Sequence, residues 1–355
     1  MSQTASYTPQ RVSFIKKLRL KIFRLFRLHY GPSLLLYNGF GNEISCIIYG
    51  HALSLSPLPR KTYRNFFVYN SIALLRLFMV RPLKEAKVKL QWENNTYETV
   101  TESDGFFRFE WRPAQQLKPG TFNVTAVLMA RHSETIVLAS VEAQVLIPSS
   151  TNFAFISDID DTFLISHSSN LKKRLFVLLT ENARSRRPFE GAVQHYRLLH
   201  GADDTPANGN AFFYVSSSEW NLYNYIREFV RVNKLPDGIF LLNQLKTFSK
   251  LFSTGQSNHS GKFTRIVKII EAYPMQKFVL LGDDSQKDPD IYASIVQHFP
   301  GKIYCVYIRR VHTPEKPQVR EKQKLIEEAG VLFYYFAHSD EAIRHSEDIG
   351  LIRKI

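Results

Sequence analysis

The sequence predicts two domains, an all-β sandwich followed by an α/β domain built on a parallel sheet. Between residues 34 and 147, short alternating or β-branched runs recur and are separated by turn residues. From residue 152 onward, apolar strands alternate instead with helical patterns, which indicates a parallel sheet with helices on both faces. The run Pro148-Ser-Ser150 is the predicted linker. We therefore divide the chain into residues 1–32, a basic N-terminal helix, and domains at 33–150 and 151–355.

The composition indicates a folded chain with an anionic partner. Of its 355 residues 44% are hydrophobic, which excludes global disorder, and the formal net charge is +14. Cys46 and Cys305 lie far apart in apolar runs, so we expect buried thiols rather than a disulfide. The sequence has neither a signal-peptide pattern nor an apolar run of about 18 residues, and we expect a cytoplasmic protein.

Residues 11–30 form a basic amphipathic pattern. The apolar residues of one helical face are Ile15, Leu18, Ile22, Leu25 and Phe26, and the basic residues around it include Lys17, Lys21, Arg24 and Arg27. Gly31-Pro32 predicts the end of this helix. Such a helix suits an anionic bilayer surface, so we expect peripheral membrane binding rather than a nucleic-acid partner. Packing of the apolar face on the protein and a mitochondrial transit peptide are the alternatives.

The strands predicted in the first half are Ile44–Tyr49, Ala86–Trp92, Thr96–Thr101, Phe106–Trp111, Thr121–Met129 and Thr135–Leu146. Regular short strands at this spacing are typical of an antiparallel sandwich. Residues 60–77 are rich in aromatic side chains and predict either a helix or a crossing loop. No set of residues in this half points to catalysis.

Polar clusters follow three strands of the second half. Its predicted strands are Phe153–Ser157, Ala211–Val215, Phe278–Leu281, Ile303–Ile308 and Val331–Phe336, with Phe240–Leu242 as a candidate sixth. The clusters that follow are Asp158-Ile-Asp160-Asp-Thr162, Ser216-Ser-Ser218 and Asp283-Asp-Ser-Gln-Lys-Asp288. Because ligands of parallel sheets bind beyond the carboxyl ends of the strands, we expect these clusters to meet at one edge.

The residue types in these clusters suit phosphoryl transfer. Asp158, with Asp283 or Asp288, offers the carboxylate oxygens that Mg²⁺ prefers. A carboxylate can also attack phosphorus and divide one difficult step into two. Asp160, two residues further on, is positioned to protonate the leaving oxygen and later to activate water.

The phosphoryl oxygens require a hydroxyl and a cation opposite the metal, because negative charge builds on them. Ser216 and Lys262, at the start of a helical pattern, are the candidates. Taken alone, a serine after a strand is usually a turn residue and a lysine at a helix start is usually solvated. The chemistry therefore rests on the ordered set rather than on either residue.

At these residues the chain resembles the haloacid dehalogenase superfamily of phosphotransferases, whose four motifs match Asp158 to Thr162, Ser216, Lys262 and Asp283 to Asp288. The resemblance implies a haloacid-dehalogenase-like Rossmannoid domain with Asp158 as nucleophile and Asp160 as general acid and base. It also implies Mg²⁺ bound by Asp158, the backbone carbonyl of Asp160 and Asp283, with Asp288 nearby. Asp284, next to Asp283, is a further candidate metal ligand. The candidate phosphate-binding residues are Thr162, Ser216, Ser217 and Lys262.

A narrower resemblance concerns the actin-patch phosphatidate phosphatase family and its bacterial relatives. It rests on the runs Tyr37–Asn42, Ser216–Tyr223 and Gly282–Tyr292, and the hairpin at 101–109 is similar to those of transthyretin-like sandwiches. The resemblance implies Mg²⁺-dependent hydrolysis of phosphatidate or a related lipid phosphate at a membrane surface. The alternatives are a phosphatase for a soluble phosphomonoester, such as a sugar phosphate or nucleotide, and a non-catalytic membrane-associated module.

Overall fold

The computed structural model describes residues 21, 23, 25–58, 67–149, 151, 153–159, 188–201, 209–247, 258–311 and 316–353. Within these ranges, fifteen strands form two hydrogen-bonded sheets. No helix in the described part of the chain combines the length and the apolar character needed to cross a bilayer.

The first sheet, called the β-rich sheet below, contains nine strands. They are β1 (Leu28–Leu36), β2 (Gly39–Gly41), β3 (Cys46–Pro57), β4 (Arg81–Pro82), β5 (Lys87–Trp92), β6 (Asn95–Val100), β7 (Phe106–Trp111), β8 (Gly120–Met129) and β9 (Val137–Ile147). The order is β1-β3-β2-β9-β8-β5-β6, and β4 and β7 also pair with β3. β2 pairs with β9 in parallel. The short β2 lies between β3 and β9 in the sheet, and β2 and β9 are not joined by a hairpin.

Alternation along the strands gives the β-rich sheet a core of its own. Along β5 and β7 every second side chain is buried, as a period of two residues requires when one face of a strand packs inward. The buried side chains are Val88, Leu90, Trp92, Phe107, Phe109 and Trp111. All nine strands belong to one continuous sheet, and the transthyretin-like sandwich stays a prediction.

The predicted N-terminal helix is wrong at its carboxyl end. Lys21, Phe23 and Leu25 are helical, but β1 already begins at Leu28. Residues 11–20, 22 and 24 lie outside the described residues. Gly31-Pro32 lies inside β1, where the pairing with β3 shifts register between Tyr30 and Ser33. A bulge accommodates proline because proline has no N–H to donate, and at a bulge the hydrogen-bonded pairing of the two strands is already interrupted.

The second sheet, called the parallel sheet below, contains six strands. They are β10 (Phe153–Ser157), β11 (Ala211–Glu219), β12 (Ile239–Asn243), β13 (Lys277–Asp283), β14 (Ile303–Arg309) and β15 (Leu332–Phe336). Their order is β12-β11-β10-β13-β14-β15, and all five pairings are parallel. The strands predicted from the apolar runs are therefore present, including the candidate sixth as β12. The haloacid-dehalogenase-like assignment stays a prediction.

Helices connect and cover these strands. They are α1 (Phe67–Leu75), α2 (Ala192–His200), α3 (Tyr223–Val232), α4 (Asn258–Ala272), α5 (Asp288–His298), α6 (Pro317–Glu328) and α7 (Ser339–Asp348). Short 3-10 helices follow α1, at Arg76–Phe78, and precede α3, at Trp220–Leu222. Residues 67–78 are thus helical, and the part of the 60–77 prediction before residue 67 lies outside the described residues.

Both cysteines are buried and free, as the sequence predicted.

The two sheets pack against each other through a shared core. Tyr37, at the end of β1, stacks on Trp220 with ring centroids 4.0 Å apart. The Tyr273 hydroxyl donates a hydrogen bond to the carbonyl of Gly41 at 2.9 Å, and the Asn42 amide donates to the carbonyl of Ala272 at 2.8 Å. These contacts join the β-rich sheet to the segment that follows β11 and to the carboxyl end of α4.

Candidate active site

Two neighbouring strands bring Asp158 and Asp283 together. β10 and β13 pair in register from Phe153 with Lys277 to Ser157 with Leu281, and the Asp158 N–H continues the ladder by donating to the Leu281 carbonyl at 2.8 Å. Asp158 therefore leaves β10 beside the end of β13, where Asp283 is the last residue. Both side chains are fully buried.

Asp288 joins them from the start of α5. The helix begins at Asp288, with Pro289 in its first turn, and the positive end of the helix dipole favours a carboxylate there. Asp288 Oδ2 accepts a hydrogen bond from the Asp283 N–H at 3.3 Å. This approach requires glycine at position 282, because a Cβ there would lie 2.6 Å from Asp288 Oδ2.

Lys262 places a buried ammonium among these carboxylates. It lies in the first turns of α4, and its Nζ is 3.0 Å from Asp158 Oδ1 and also donates a hydrogen bond to Asp288 Oδ1. Burial by itself lowers the pKa of Lys262, but the carboxylates of Asp158 and Asp288 outweigh it and raise the pKa above its usual value. Lys262 is therefore a permanent cation.

The carboxylate cluster fits a divalent cation. Asp158, Asp283 and Asp288 each offer an oxygen, and these oxygens lie within 4.8 Å of one another. An octahedral Mg²⁺ site with bonds of about 2.1 Å requires oxygens about 3–4 Å apart, which small side-chain movements supply here. The positive charges that act on these carboxylates are those of Lys262, of Arg265 on Asp158 and of Arg309 on Asp283.

The serines on β11 lie at the same edge of the sheet. The pairing of β11 with β12 shifts register between Val215 and Glu219, and the three serines occupy the irregular stretch. Ser216 is fully buried, and its Oγ accepts a hydrogen bond from the Ser218 N–H at 2.9 Å. Ser217 is half-buried between two buried serines, and its predicted role in phosphate binding stays a prediction.

Asp284 is the predicted metal ligand that the structure separates from the cluster. Its Oδ1 accepts a hydrogen bond from the Val311 N–H at 2.8 Å, and its Oδ2 accepts one from the Tyr335 hydroxyl at 2.7 Å. The chain bends at Asp284, directly after β13, and each of its carboxylate oxygens is bonded to one of these two groups. Asp284 links β13 to the ends of β14 and β15, and the prediction that it binds metal is not supported.

Two predicted site residues cannot be located in the same way. Asp160, the predicted general acid and base, and Thr162, a predicted phosphate-binding residue, lie outside the described residues. Their roles remain as the sequence predicts them.

Sequence reasoning missed Arg265. It lies on α4 three residues after Lys262, and residues at this spacing share a helical face. Its Nη2 donates a hydrogen bond to the Ser216 carbonyl at 3.2 Å. Burial lowers the pKa of Arg265 to about 10, partly offset by the carboxylate of Asp158, so the guanidinium is charged at neutral pH. The spacing from Lys262 was the available signal.

Comparisons with known proteins include one family match that contains the candidate site. Residues 153–310 match the family model described as the catalytic domain of phosphatidate phosphatase APP1, and the carboxylate cluster and Lys262 lie within the match. The Saccharomyces cerevisiae phosphatidate phosphatase APP1 is 29% identical over 154 residues, which are 43% of this chain and 25% of that protein. An uncharacterized protein of Schizosaccharomyces pombe is 25% identical over 218 residues, which are 61% of this chain and 34% of that protein.

The chain thus spans about a quarter to a third of the length of these curated relatives. The match to a solved carbohydrate acetylesterase from Xanthomonas citri covers 87% of this chain and 69% of that protein's chain. Its TM-score is 0.31 and the sequence identity is 9%. A similarity this low carries no conclusion about the fold. The region that contains the candidate site is therefore similar to a phosphatidate phosphatase catalytic domain.

Proposed function

We propose that this chain is a Mg²⁺-dependent phosphomonoester hydrolase that acts on phosphatidate or a related lipid phosphate. The observation that carries the proposal is the buried cluster of Asp158, Asp283, Asp288 and Lys262 at the carboxyl ends of adjacent parallel strands. Burial of so many charged groups is costly unless they bind something of complementary charge. A cation and a phosphate together meet that requirement.

In the proposed reaction, an Asp158 carboxylate oxygen attacks phosphorus and the bond from phosphorus to the alcohol oxygen breaks. Asp160 gives its proton to the departing oxygen and then takes one from the water that hydrolyses the aspartyl phosphate. Asp158 is thereby regenerated, and the products are the alcohol and inorganic phosphate. Lys262 and Ser216 contact the phosphoryl oxygens, where negative charge develops.

The residues that would hold Mg²⁺ are Asp158, Asp283 and Asp288. When bound, the ion neutralises charge on the phosphoryl group and offsets the repulsion between that group and the carboxylates. Lys262 keeps two of these carboxylates in place through its contacts with Asp158 and Asp288.

The choice of a lipid phosphate rests on the match of residues 153–310 to a phosphatidate phosphatase catalytic domain. The basic segment at residues 11–30 supports it, because clustered Lys and Arg attract a protein to anionic lipids. A site of this kind on a cytoplasmic protein would then act at the membrane surface.

The test is phosphate release from phosphatidate in mixed micelles, compared with soluble sugar phosphates and nucleotides, with and without Mg²⁺. We expect Mg²⁺-dependent release from phosphatidate and none from the Asp158→Asn variant. Preference for a soluble ester would overturn the lipid assignment, and no release from any ester would overturn the enzymatic one.

The matched control is Asp290→Asn, the same substitution on α5, at an aspartate whose side chain is 51% exposed. We expect it to retain wild-type activity. A purified Asp158→Asn variant that hydrolyses phosphatidate would remove Asp158 as the nucleophile.

A further inference from the structure

A cavity between the two sheets adjoins the candidate site. Its volume is about 340 Å³, and its lining includes Tyr49 and Phe106 of the β-rich sheet and Trp220, Arg265 and Lys268 of the parallel-sheet half. It opens beside α4, the helix that carries Lys262. A substrate phosphate at the carboxylate cluster would therefore have this cavity as a neighbour.

Arg265 lies between the cavity and Ser216, a candidate phosphate-binding residue. Its Nη2 donates to the Ser216 carbonyl, while the same side chain lines the cavity. Its buried Nε has no hydrogen-bond partner among the described residues. A donor that is buried without a partner is costly, and a ligand oxygen in the cavity would satisfy it.

The other walls combine aromatic faces with acceptors. Tyr49 stacks on Phe106 with ring centroids 5.8 Å apart, and Tyr49 also contacts the Trp220 ring at 6.4 Å. Asp104 and Glu102, also in the lining, have carboxylates that accept hydrogen bonds from hydroxyl groups and offset the positive charges of Arg265 and Lys268. This combination suits a neutral group that is rich in oxygen and has apolar edges.

We propose that this cavity binds the alcohol portion of the phosphomonoester, a neutral, oxygen-rich group about the size of a glycerol backbone, and that Arg265 is a specificity-determining residue. The proposal rests on the proposed hydrolase function and assigns the β-rich sheet a direct part in substrate binding. At about 340 Å³ the cavity is near the lower end of the range of about 300–1,000 Å³ for ligand pockets. Two long acyl chains exceed it and would remain outside, with the lipid surface.

The test compares three phosphomonoesters that share the phosphate and differ in the alcohol. Methyl phosphate lacks the group that the cavity would bind, glycerol 3-phosphate supplies it in soluble form, and phosphatidate in mixed micelles supplies it from a lipid. The variants are Arg265→Gln and Phe106→Ala, the second of which lies away from the carboxylates. The control is Arg231→Gln, at an arginine on α3 that is 68% exposed and paired with Glu228.

We expect kcat/KM for the two glycerol-based esters to fall about 10-fold or more in both cavity variants, mainly through KM, because hydrogen bonds and apolar contacts to the alcohol are lost. In Phe106→Ala, kcat/KM for methyl phosphate should change less than about 2-fold. Arg265→Gln also loses the hydrogen bond to the Ser216 carbonyl, so for this variant the readout is the ratio of kcat/KM for the glycerol-based esters to that for methyl phosphate. A loss confined to phosphatidate would assign the cavity to a lipid backbone, and one confined to glycerol 3-phosphate to a soluble polyol. Equal losses for all three esters in Phe106→Ala, or no loss in that variant, would overturn the proposal.

Binding measurements separate this proposal from the hydrolase function. If the wild-type protein hydrolyses none of the esters, the proposed function fails, and calorimetry then compares glycerol 3-phosphate with inorganic phosphate. Tighter binding of glycerol 3-phosphate that is lost in Phe106→Ala would support the cavity as an alcohol site. Equal affinity for the two ligands would overturn it.

Discussion

The two halves of the molecule bury different kinds of polar side chain. In residues 28–147 the buried polar side chains among the described residues are His51, Ser56, Asn70, Arg76 and Thr101. In the parallel-sheet half they include Asp158, Lys262, Asp283, Asp284, Asp288 and Arg309. Each half has an apolar core, but buried carboxylates occur, among the described residues, only in the second.

The parallel-sheet half therefore carries the energetic cost of burying carboxylates. A buried charge is costly to remove from water, and this cluster brings carboxylate oxygens of three buried aspartates within 4.8 Å of one another. The β-rich sheet shows that the same chain can build a core without such groups. The cluster at the end of the parallel sheet is therefore best explained by binding and chemistry rather than by stability.

Removing the ammonium should have the largest effect. In Lys262→Met the carboxylates of Asp158 and Asp288 lose their cation, so we expect the free energy of unfolding without Mg²⁺ to fall by about 3–5 kcal/mol and turnover to be lost. Urea denaturation and phosphate release measure both. Lys324→Met, at a lysine that is 79% exposed, is the control. Unchanged stability would show that Lys262 does not hold the cluster together.

Neutralising one carboxylate should weaken cation binding. For Asp283→Asn we expect the affinity for Mg²⁺ to fall at least about 10-fold, as happens when metal sites lose an interacting group. The dependence of the melting temperature on Mg²⁺ concentration reports this affinity. Asp290→Asn should leave it unchanged, and an Asp283→Asn variant with wild-type affinity would contradict the assigned site.

Substitution of Asp284, unlike that of its neighbour Asp283, should lower the stability of the fold and leave the affinity for Mg²⁺ unchanged. Asp284→Ala removes both acceptors, for the Val311 N–H and the Tyr335 hydroxyl, so we expect the free energy of unfolding to fall by about 1–3 kcal/mol. Mg²⁺ affinity should remain near that of the wild type. A large loss of affinity with little loss of stability would restore Asp284 as a ligand.

A contact at the junction of the two sheets should have a smaller effect. The Tyr37 hydroxyl hydrogen bonds with His51 Nδ1 at 2.9 Å, and both side chains are buried. Tyr37→Phe keeps the stacking on Trp220 but leaves that nitrogen without its partner, so we expect a loss of about 1–2 kcal/mol in unfolding free energy. Tyr97→Phe, at a hydroxyl with only a long, exposed bond, is the control and should change little.

The smallest effect should come from pH, to which both halves respond. Burial lowers the pKa of His51, in the β-rich sheet, and of His195, on α2, to about 3. The unfolded chain binds these protons near its ordinary pKa of about 6.5, so stability is retained above that pH and lost as the pH falls. Between about pH 7.5 and pH 6.0 we expect about 0.8 kcal/mol to be lost per histidine.

Urea denaturation at the two pH values, with His51→Gln and His195→Gln, measures this loss. Each substitution should flatten the dependence of stability on pH by the contribution of one histidine. An unchanged dependence in either variant would show that the histidine concerned is not held neutral by burial.

Local patterns predicted the strands best where the chain alternates or is continuously apolar. β7 and β10 have the predicted bounds, since Phe106–Trp111 alternates and Phe153–Ser157 is a short apolar run between polar segments. β1 was missed because Gly31-Pro32 predicts a helix end, whereas pairing with β3 makes the segment a bulged strand. Such pairing is non-local and leaves no pattern in β1 itself.

The sequence by itself determined which chemistry is available, because Asp158, Lys262 and Asp283 stand directly after strands or at a helix start. Only the tertiary structure decided how neighbouring residues divide their roles. Asp283, the last residue of β13, lies in the cluster, whereas Asp284, in the bend that follows, bonds to the Val311 N–H and the Tyr335 hydroxyl of neighbouring segments. Likewise, the packing of α4 on β11 places Arg265 beside Ser216, and only the packing of the two sheets places it next to a cavity with walls from both halves, because contacts between distant segments depend on how the chain folds back on itself.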